Sequence, residues 1–318
     1  MKNLSESQYN KARDYLKTYA NDIDRAMFEY YFESKPVEEV VKILASYQNE
    51  DGGFGMLDYD IEYPGSCLKS TESACRYIYQ LDKIPVDHPM IQKLIHYLLE
   101  NYNPETGGWN NLLVPEVNHY PRAPWWNYEE IKYDAPVNRE DVLRNYKPNT
   151  NAALAGIILM YKEMVPEELI YEIKSIVIEK IMTTQNYGQY EMMSYQYFVK
   201  GLEANERKPL IDKLMGNGNL ISILDDYGGT ESAYKLTNWI DTPRHPYYPM
   251  YKKDVMTCLE NLIDSQETDG SWAPNWSWGG VEGWERANKR LKGVLTVQFL
   301  KTILGFGVCG GKREVKKK

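Results

Sequence analysis

Two clusters of carboxylates carry the strongest chemical suggestion in this chain. Asp58-Tyr59-Asp60-Ile61-Glu62 brings three acids within five residues, and Asp225-Asp226-Tyr227-Gly228-Gly229-Thr230-Glu231 brings three within seven. Neighbouring carboxylates push one another's proton affinity upward, which suits a general acid, and two that face one cavity would make a working pair. The plainer reading of both is an acidic turn whose charge favours the N-terminus of the helix that follows. Aromatic side chains are the second resource. The chain has 27 tyrosines and eight tryptophans against six phenylalanines, and such rings stabilise a cation without quenching it. By position, Tyr63, Trp109, Trp125, Trp126, Trp239 and Trp272 are the candidates for a substrate surface, with Glu62, Asp225 and Asp226 beside them.

Other chemistries find little support. Cys67 and Cys75 are not in a Cys-x-x-Cys pair, and His88, His96, His119 and His245 are scattered singly, so no tetrahedral metal site is expected. There is no Gly-x-Ser-x-Gly nucleophile motif and no phosphate-binding Gly-x-x-x-x-Gly-Lys-Ser/Thr loop, and no cofactor is expected. Arg122, Arg244, Arg286 and Arg290 read first as surface charges. A net charge of −8 argues against nucleic acid as a partner, and the basic run from Lys312 to Lys318 reads as a solvated tail. The longest apolar stretch, near Ala152–Met160, is far too short to span a bilayer. The N-terminus lacks an apolar segment of the export type, and four cysteines without such a segment suggest reduced thiols and a cytoplasmic protein.

The elements that would position these residues are helices. Periodicity and capping signals predict them over 5–20, 23–33, 36–49, 66–81, 88–102, 150–164, 167–184, 190–203, 206–216, 230–240, 248–266 and 285–305. Ser5-x-x-Gln8 reads as a capping box, and Leu169, Ile170, Ile173, Ile176, Val177 and Ile181 form one apolar stripe. A repeat organises the array. Leu44-x3-Gln48-x3-Gly52-x-Phe54 recurs as Leu99-x3-Asn103-x3-Gly107-x-Trp109 and as Leu262-x3-Gln266-x3-Gly270-x-Trp272, with a degraded copy at Ile181, Gln185, Gly188 and Tyr190. Each copy reads as a helix, an amide, a glycine that ends the helix in the left-handed region, an aromatic over the turn, and a new helix. Residues 111–148, with five prolines and a concentration of aromatics, break the pattern and read as a lid or pocket wall. Residues 267–284 form a second aromatic-rich rim.

At these turns the chain resembles the terpenoid cyclase and protein-prenyltransferase superfamily. QNEDGGF, NPETGGW and QETDGSW are similar to the Gln-Trp motifs of squalene–hopene cyclases, and SCLKSTESACRYIYQL and NTNAALAGIIL resemble inner-ring helices of that group. The likeness covers 36–110 and 149–306. It implies an all-α fold, an α/α toroid closed from about six helical hairpins, with residues 1–306 as one domain around the 111–148 insertion and 307–318 as a tail. It implies that Asp60 takes the proton-donor position of an Asp-x-Asp-Asp motif, with Asp58 its partner, Ile61 replacing the last Asp and Glu62 following. The expected substrate is then an isoprenoid, a hydrophobic small molecule protonated and cyclised among aromatic rings, with peripheral membrane contact one way to reach it. The residues leave two other readings open: a carbohydrate-active ring of six helical hairpins, whose Tyr and Trp would stack on sugars, and a toroid that binds a lipid or protein without catalysis.

Overall fold

A computed structural model describes residues 2–133, 135–216 and 236–308. Among them the regular structure is helical; pairing of the β type takes the form of isolated bridges, among them Gln48 with Phe54, Asn103 with Gly108 and Ile61 with Arg122. The chain falls into two compact units, Met1–Leu44 with Leu224–Lys318, and Ala45–Ile223.

The first unit holds α1 (Glu6–Tyr19), α2 (Asp22–Phe32), α11 (Tyr248–Asp264) and α12 (Trp284–Gly305). The expected capping box is present: Ser5 Oγ accepts from the Gln8 backbone and Gln8 Oε1 accepts from the Ser5 N–H. Both α1 and α2 pack on α12. The helix α3 (Val37–Ala45) runs up to the boundary of the units.

The second unit holds α4 (Leu68–Ile78), α5 (Pro89–Glu100), α6 (Arg139–Asn145), α7 (Pro148–Met160), α8 (Glu167–Thr183), α9 (Gln189–Gly201) and α10 (Ala204–Met215). Its centre is α7, which contacts α4, α8 and α9 and is buried from Ala152 to Leu159. Gly156 of α7 and Gly201 of α9 let the two backbones cross in contact: a Cβ on Gly201 would run into the Gly156 backbone. On α8 the expected stripe turns inward, with Ile173, Ile176, Val177 and Ile181 buried and Leu169 and Ile170 half-buried. Burial of each such side chain is worth about 1.5–3 kcal/mol. The insertion is not free of helix: α6 starts where Asn138 Oδ1 accepts from the Asp141 N–H, and a 3₁₀ turn spans Pro115–His119. The expected helix over 230–240 is described only from Leu236 on, and Asp225 and Asp226 lie outside the described residues, as do Cys309 and the tail beyond it.

The repeated turns fold differently in one respect from the sequence expectation. Helices α3, α5 and α11 end at Ala45, Glu100 and Asp264, well before Gly52, Gly107 and Gly270. The glycines therefore do not cap the helices. They sit at the corners of tight return turns, with φ of +92°, +66° and +90°, a region open to glycine at low cost. The amides hold the corners. Gln48 Nε2 donates to Gly52 O and Met90 O, both at 2.9 Å, and Gln266 Nε2 donates to Gly270 O and Gln8 O, again at 2.9 Å. Met90 and Gln8 lie in the first turns of α5 and α1, so each turn is tied to the start of a neighbouring helix. The aromatic backbone N–H then donates to a side chain of a following helix: Phe54 to Thr71 Oγ1 at 3.0 Å, Trp109 to Asn151 Oδ1, and Trp272 to Thr296 Oγ1 at 3.1 Å.

Candidate functional site

Helix α4 and the turn before it build the site. Cys67 caps the helix, its Sγ accepting from the Ser70 N–H. Lys69, Glu72, Ser73 and Arg76 follow at spacings of three, four and seven residues from the lysine, which puts them on one face. Nearly all of α4 is buried, Glu72 completely and Lys69 to 6% exposure, so its charges need partners within the protein.

They find them in the acidic turn. Lys69 Nζ lies 2.5 Å from Asp58 Oδ2 and 3.2 Å from Glu72 Oε2, and Arg76 Nε donates to Glu72 Oε1 at 2.5 Å. Ser73 Oγ donates to Asp58 Oδ2 at 2.8 Å, and Asp58 Oδ1 accepts from the Asp60 N–H at 2.9 Å. Asp58, itself 1% exposed, is thus saturated with donors. Burial alone would raise its carboxyl, but the Lys69 charge and the hydrogen bonds from Lys69, Ser73 and the Asp60 backbone outweigh it and hold the group below the usual carboxylate range. Burial likewise acts to lower Lys69, and the Asp58 and Glu72 carboxylates reverse that and push its ammonium up. Both partners are charged at neutral pH.

Asp60, two residues on, is 7% exposed and faces a different neighbour: the indole Nε1–H of Trp125 donates to its Oδ2 at 3.2 Å. The insertion delivers that indole. Glu62 N–H donates to Pro121 O and Ala123 N–H to Asp60 O, at 2.9 and 2.8 Å, so residues 121–123 run beside the acidic turn. Arg122, a surface charge by sequence, binds the insertion to itself, donating to the carbonyls of Asn118 and Tyr120 and to Asn127 Oδ1. Ile61, the residue where an Asp was expected, is buried with Cys67, Leu113 and Val117, and Tyr63, Trp126 and Tyr128 pack on that cluster. An acid there would have no polar partner in that cluster, which explains the apolar choice. Trp126 also receives Lys69 Nζ 5.4 Å from its ring centroid. Glu62 is buried, 8% exposed, at the edge of this turn.

Asp58, Asp60, Glu62, Tyr63, Trp125 and Trp126 therefore share one neighbourhood. Trp109 and Trp272 do not belong to it. Each is fully buried at its own turn, its indole N–H donating at 2.7 Å to Leu98 O and Leu262 O respectively. Trp239 is buried in the first unit. Lys69, Glu72, Ser73 and Arg76 were overlooked by sequence reasoning. The sequence carried no signal for them: polar residues at these spacings on one face of α4 read as a solvated face. Among the described residues no group of three His, Cys, Asp or Glu side chains is arranged to hold a metal ion.

Comparison of the chain with models of protein families finds no match. Comparison with curated proteins finds none either.

Proposed function

We propose that this chain is a terpenoid-cyclase-like protein with the α/α-toroid fold, and that Asp60 protonates an alkene of a polyprenyl substrate. The Asp60 O–H bond breaks as a C–H bond forms, which leaves a carboxylate on the protein and a tertiary cation on the substrate. The next alkene closes a ring on that cation, and loss of a proton or capture of water ends the sequence. Tyr63, Trp125 and Trp126 offer faces for the cation. The toroid reading is supported by the repeated turns, since Gln48 and Gln266 make the same pair of bonds at turns far apart in the chain.

The observation that carries the mechanism is the division between the two acids. Asp58 is committed to Lys69 and Ser73 and holds the Asp60 backbone, while Asp60 presents its carboxyl to an indole. Neighbouring acids in unlike environments separate into an ionised partner and a working group.

A carbohydrate-active reading is favoured by one observation: Trp125 is 52% exposed and Tyr120 37%, as sugar-stacking rings on an open cleft would be. The experiment is turnover by the purified chain, read by mass spectrometry, on farnesyl and geranylgeranyl diphosphate, squalene and an oligosaccharide panel, with Asp60→Asn alongside. A cyclised isoprenoid absent in Asp60→Asn is the expected result. Sugar cleavage would replace the reading by the second one, and no turnover would favour a toroid that binds a lipid or protein.

A further inference from the structure

Trp125 stands at the corner of a β-turn. Trp126 N–H donates to Ala123 O at 3.0 Å, which places Pro124 at the second position of the turn, where its fixed φ suits the bend, and Trp125 at the third. The turn is braced at both ends. Ahead of it, Ala123 N–H donates to Asp60 O at 2.8 Å; behind it, the Trp126 ring packs on the Ile61–Cys67 cluster and receives Lys69 Nζ. Asn127 Nδ2 closes the corner on Pro124 O at 2.8 Å. Asn118 takes both backbone groups of Tyr128, its Oδ1 accepting from the N–H and its Nδ2 donating to the carbonyl. The backbone that carries Trp125 is therefore fixed to the acidic turn. The indole is not enclosed, for it is 52% exposed, whereas Asp60, on which its N–H rests, is only 7% exposed. The contact between them is a neutral N–H on a carboxylate oxygen, 3.2 Å long.

We infer that the Trp125 indole is a swinging gate on Asp60, closed in this structure, which opens by rotation about its own side-chain bonds while the turn stays in place. Two facts favour a side-chain swing over movement of the loop. The loop could leave only by giving up the Glu62–Pro121 and Ala123–Asp60 backbone bonds and the burial of Val117, which is complete. The indole gives up one hydrogen bond, which water replaces on its N–H, and half of its surface already faces solvent. Such a bond biases an equilibrium by about two- to tenfold, so the closed state dominates without locking the acid away. An acid that must protonate a hydrocarbon needs both conditions in turn, open to meet its substrate and shut against water. The inference goes beyond the proposed function in assigning control of access to Trp125, and it rests on that reading only for what Asp60 does once reached.

The test is labelling of carboxyl groups in the whole chain with a water-soluble carbodiimide and glycine ethyl ester, read residue by residue by peptide mass spectrometry. Asp60 should react slowly in the wild type and about two- to tenfold faster in Trp125→Phe, which keeps a ring but has no N–H. It should react faster again in Trp125→Ala, which has no ring to cover it. Asp58, held by Lys69 and Ser73, should react equally slowly in all three. Circular dichroism checks the fold of each variant, and should Trp125→Ala not fold, Trp125→Phe decides alone. Equal labelling of Asp60 in wild type and Trp125→Phe overturns the inference. So does faster labelling of Asp58 together with Asp60, which would mean that the acidic turn itself had loosened. Because labelling is read without turnover, the two proposals fail separately. A gate found without cyclisation leaves access control and removes the cyclase, whereas cyclised product from a chain whose Asp60 labels alike with and without the indole does the reverse.

Discussion

Lys69 Nζ and Asp58 Oδ2 sit 2.5 Å apart in a place where neither side chain is more than 8% exposed. Two opposite charges taken out of water at that depth stand only if each is compensated in full. Here Ser73 and the Asp60 backbone complete the shell of Asp58, and Glu72 completes that of Lys69. The pair holds the acidic turn to α4, and through the turn it sets where Asp60 stands.

Removing one partner leaves the other charged and buried. Lys69→Met should cost about 3–5 kcal/mol, and replacing both partners, Lys69→Met with Asp58→Asn, should cost less than Lys69→Met alone. Urea unfolding of the two variants measures this. A double variant less stable than Lys69→Met would show that the pair is not the source of the cost.

Acid should release the same interaction. Asp58 has a folded proton affinity below its unfolded one, so its contribution to stability is complete above the unfolded value near about 4 and disappears as the pH falls through the lower folded value. Melting temperature should therefore drop as the pH falls below about 4, with a slope that is shallower in Asp58→Asn. Parallel curves for the two proteins would contradict this account.

The last repeated turn offers a test of the fold's staples. Gln266→Ala removes hydrogen bonds to Gly270 O and Gln8 O and should cost about 1–3 kcal/mol. Gly270→Ala should cost more than a surface change usually does, about 1–3 kcal/mol from strain alone, because φ is +90° and the new Cβ would meet the Lys11 backbone. Chemical denaturation of both variants provides the numbers.

Thiol reactivity probes both units. Cys67, Cys75 and Cys258 are free and buried. Burial pushes all three thiols up, Cys258 to about 12, so little thiolate forms near neutral pH. Ellman's reagent should modify these three slowly in the folded protein and rapidly in guanidinium, with peptide mapping to assign each site. Fast labelling of Cys75 in native buffer would mean that α4 opens readily.

Much of this molecule is written locally. The stripe Ile173, Ile176, Val177 and Ile181, the Ser5–Gln8 box and the Gln266–Gly270–Trp272 turn depend on neighbours within a few residues, and a period or a cap is legible at that range. The acidic turn with Asp58 and Asp60 was legible for the same reason, as a concentration of like charge. The short helix Arg139–Asn145 was missed because the prolines around it hide about two turns started by Asn138. Tertiary structure decided the rest. Lys69 and Asp58 lie eleven residues apart across a turn, and no periodicity relates them. The charges of helix α4 look in the sequence like a solvated face, and only the packing of α7 and of the 111–128 segment against it buries them and makes Lys69 the partner of Asp58 and Glu72, and Arg76 the partner of Glu72. Trp125 and Trp109 illustrate the same division. By type and position both suited a substrate surface, yet burial against Leu98 commits Trp109 to a turn, while the backbone bond from Ala123 to Asp60 brings Trp125 to the carboxylate. Local sequence sets which backbone shapes are cheap; which polar groups meet inside depends on how distant segments exclude water together.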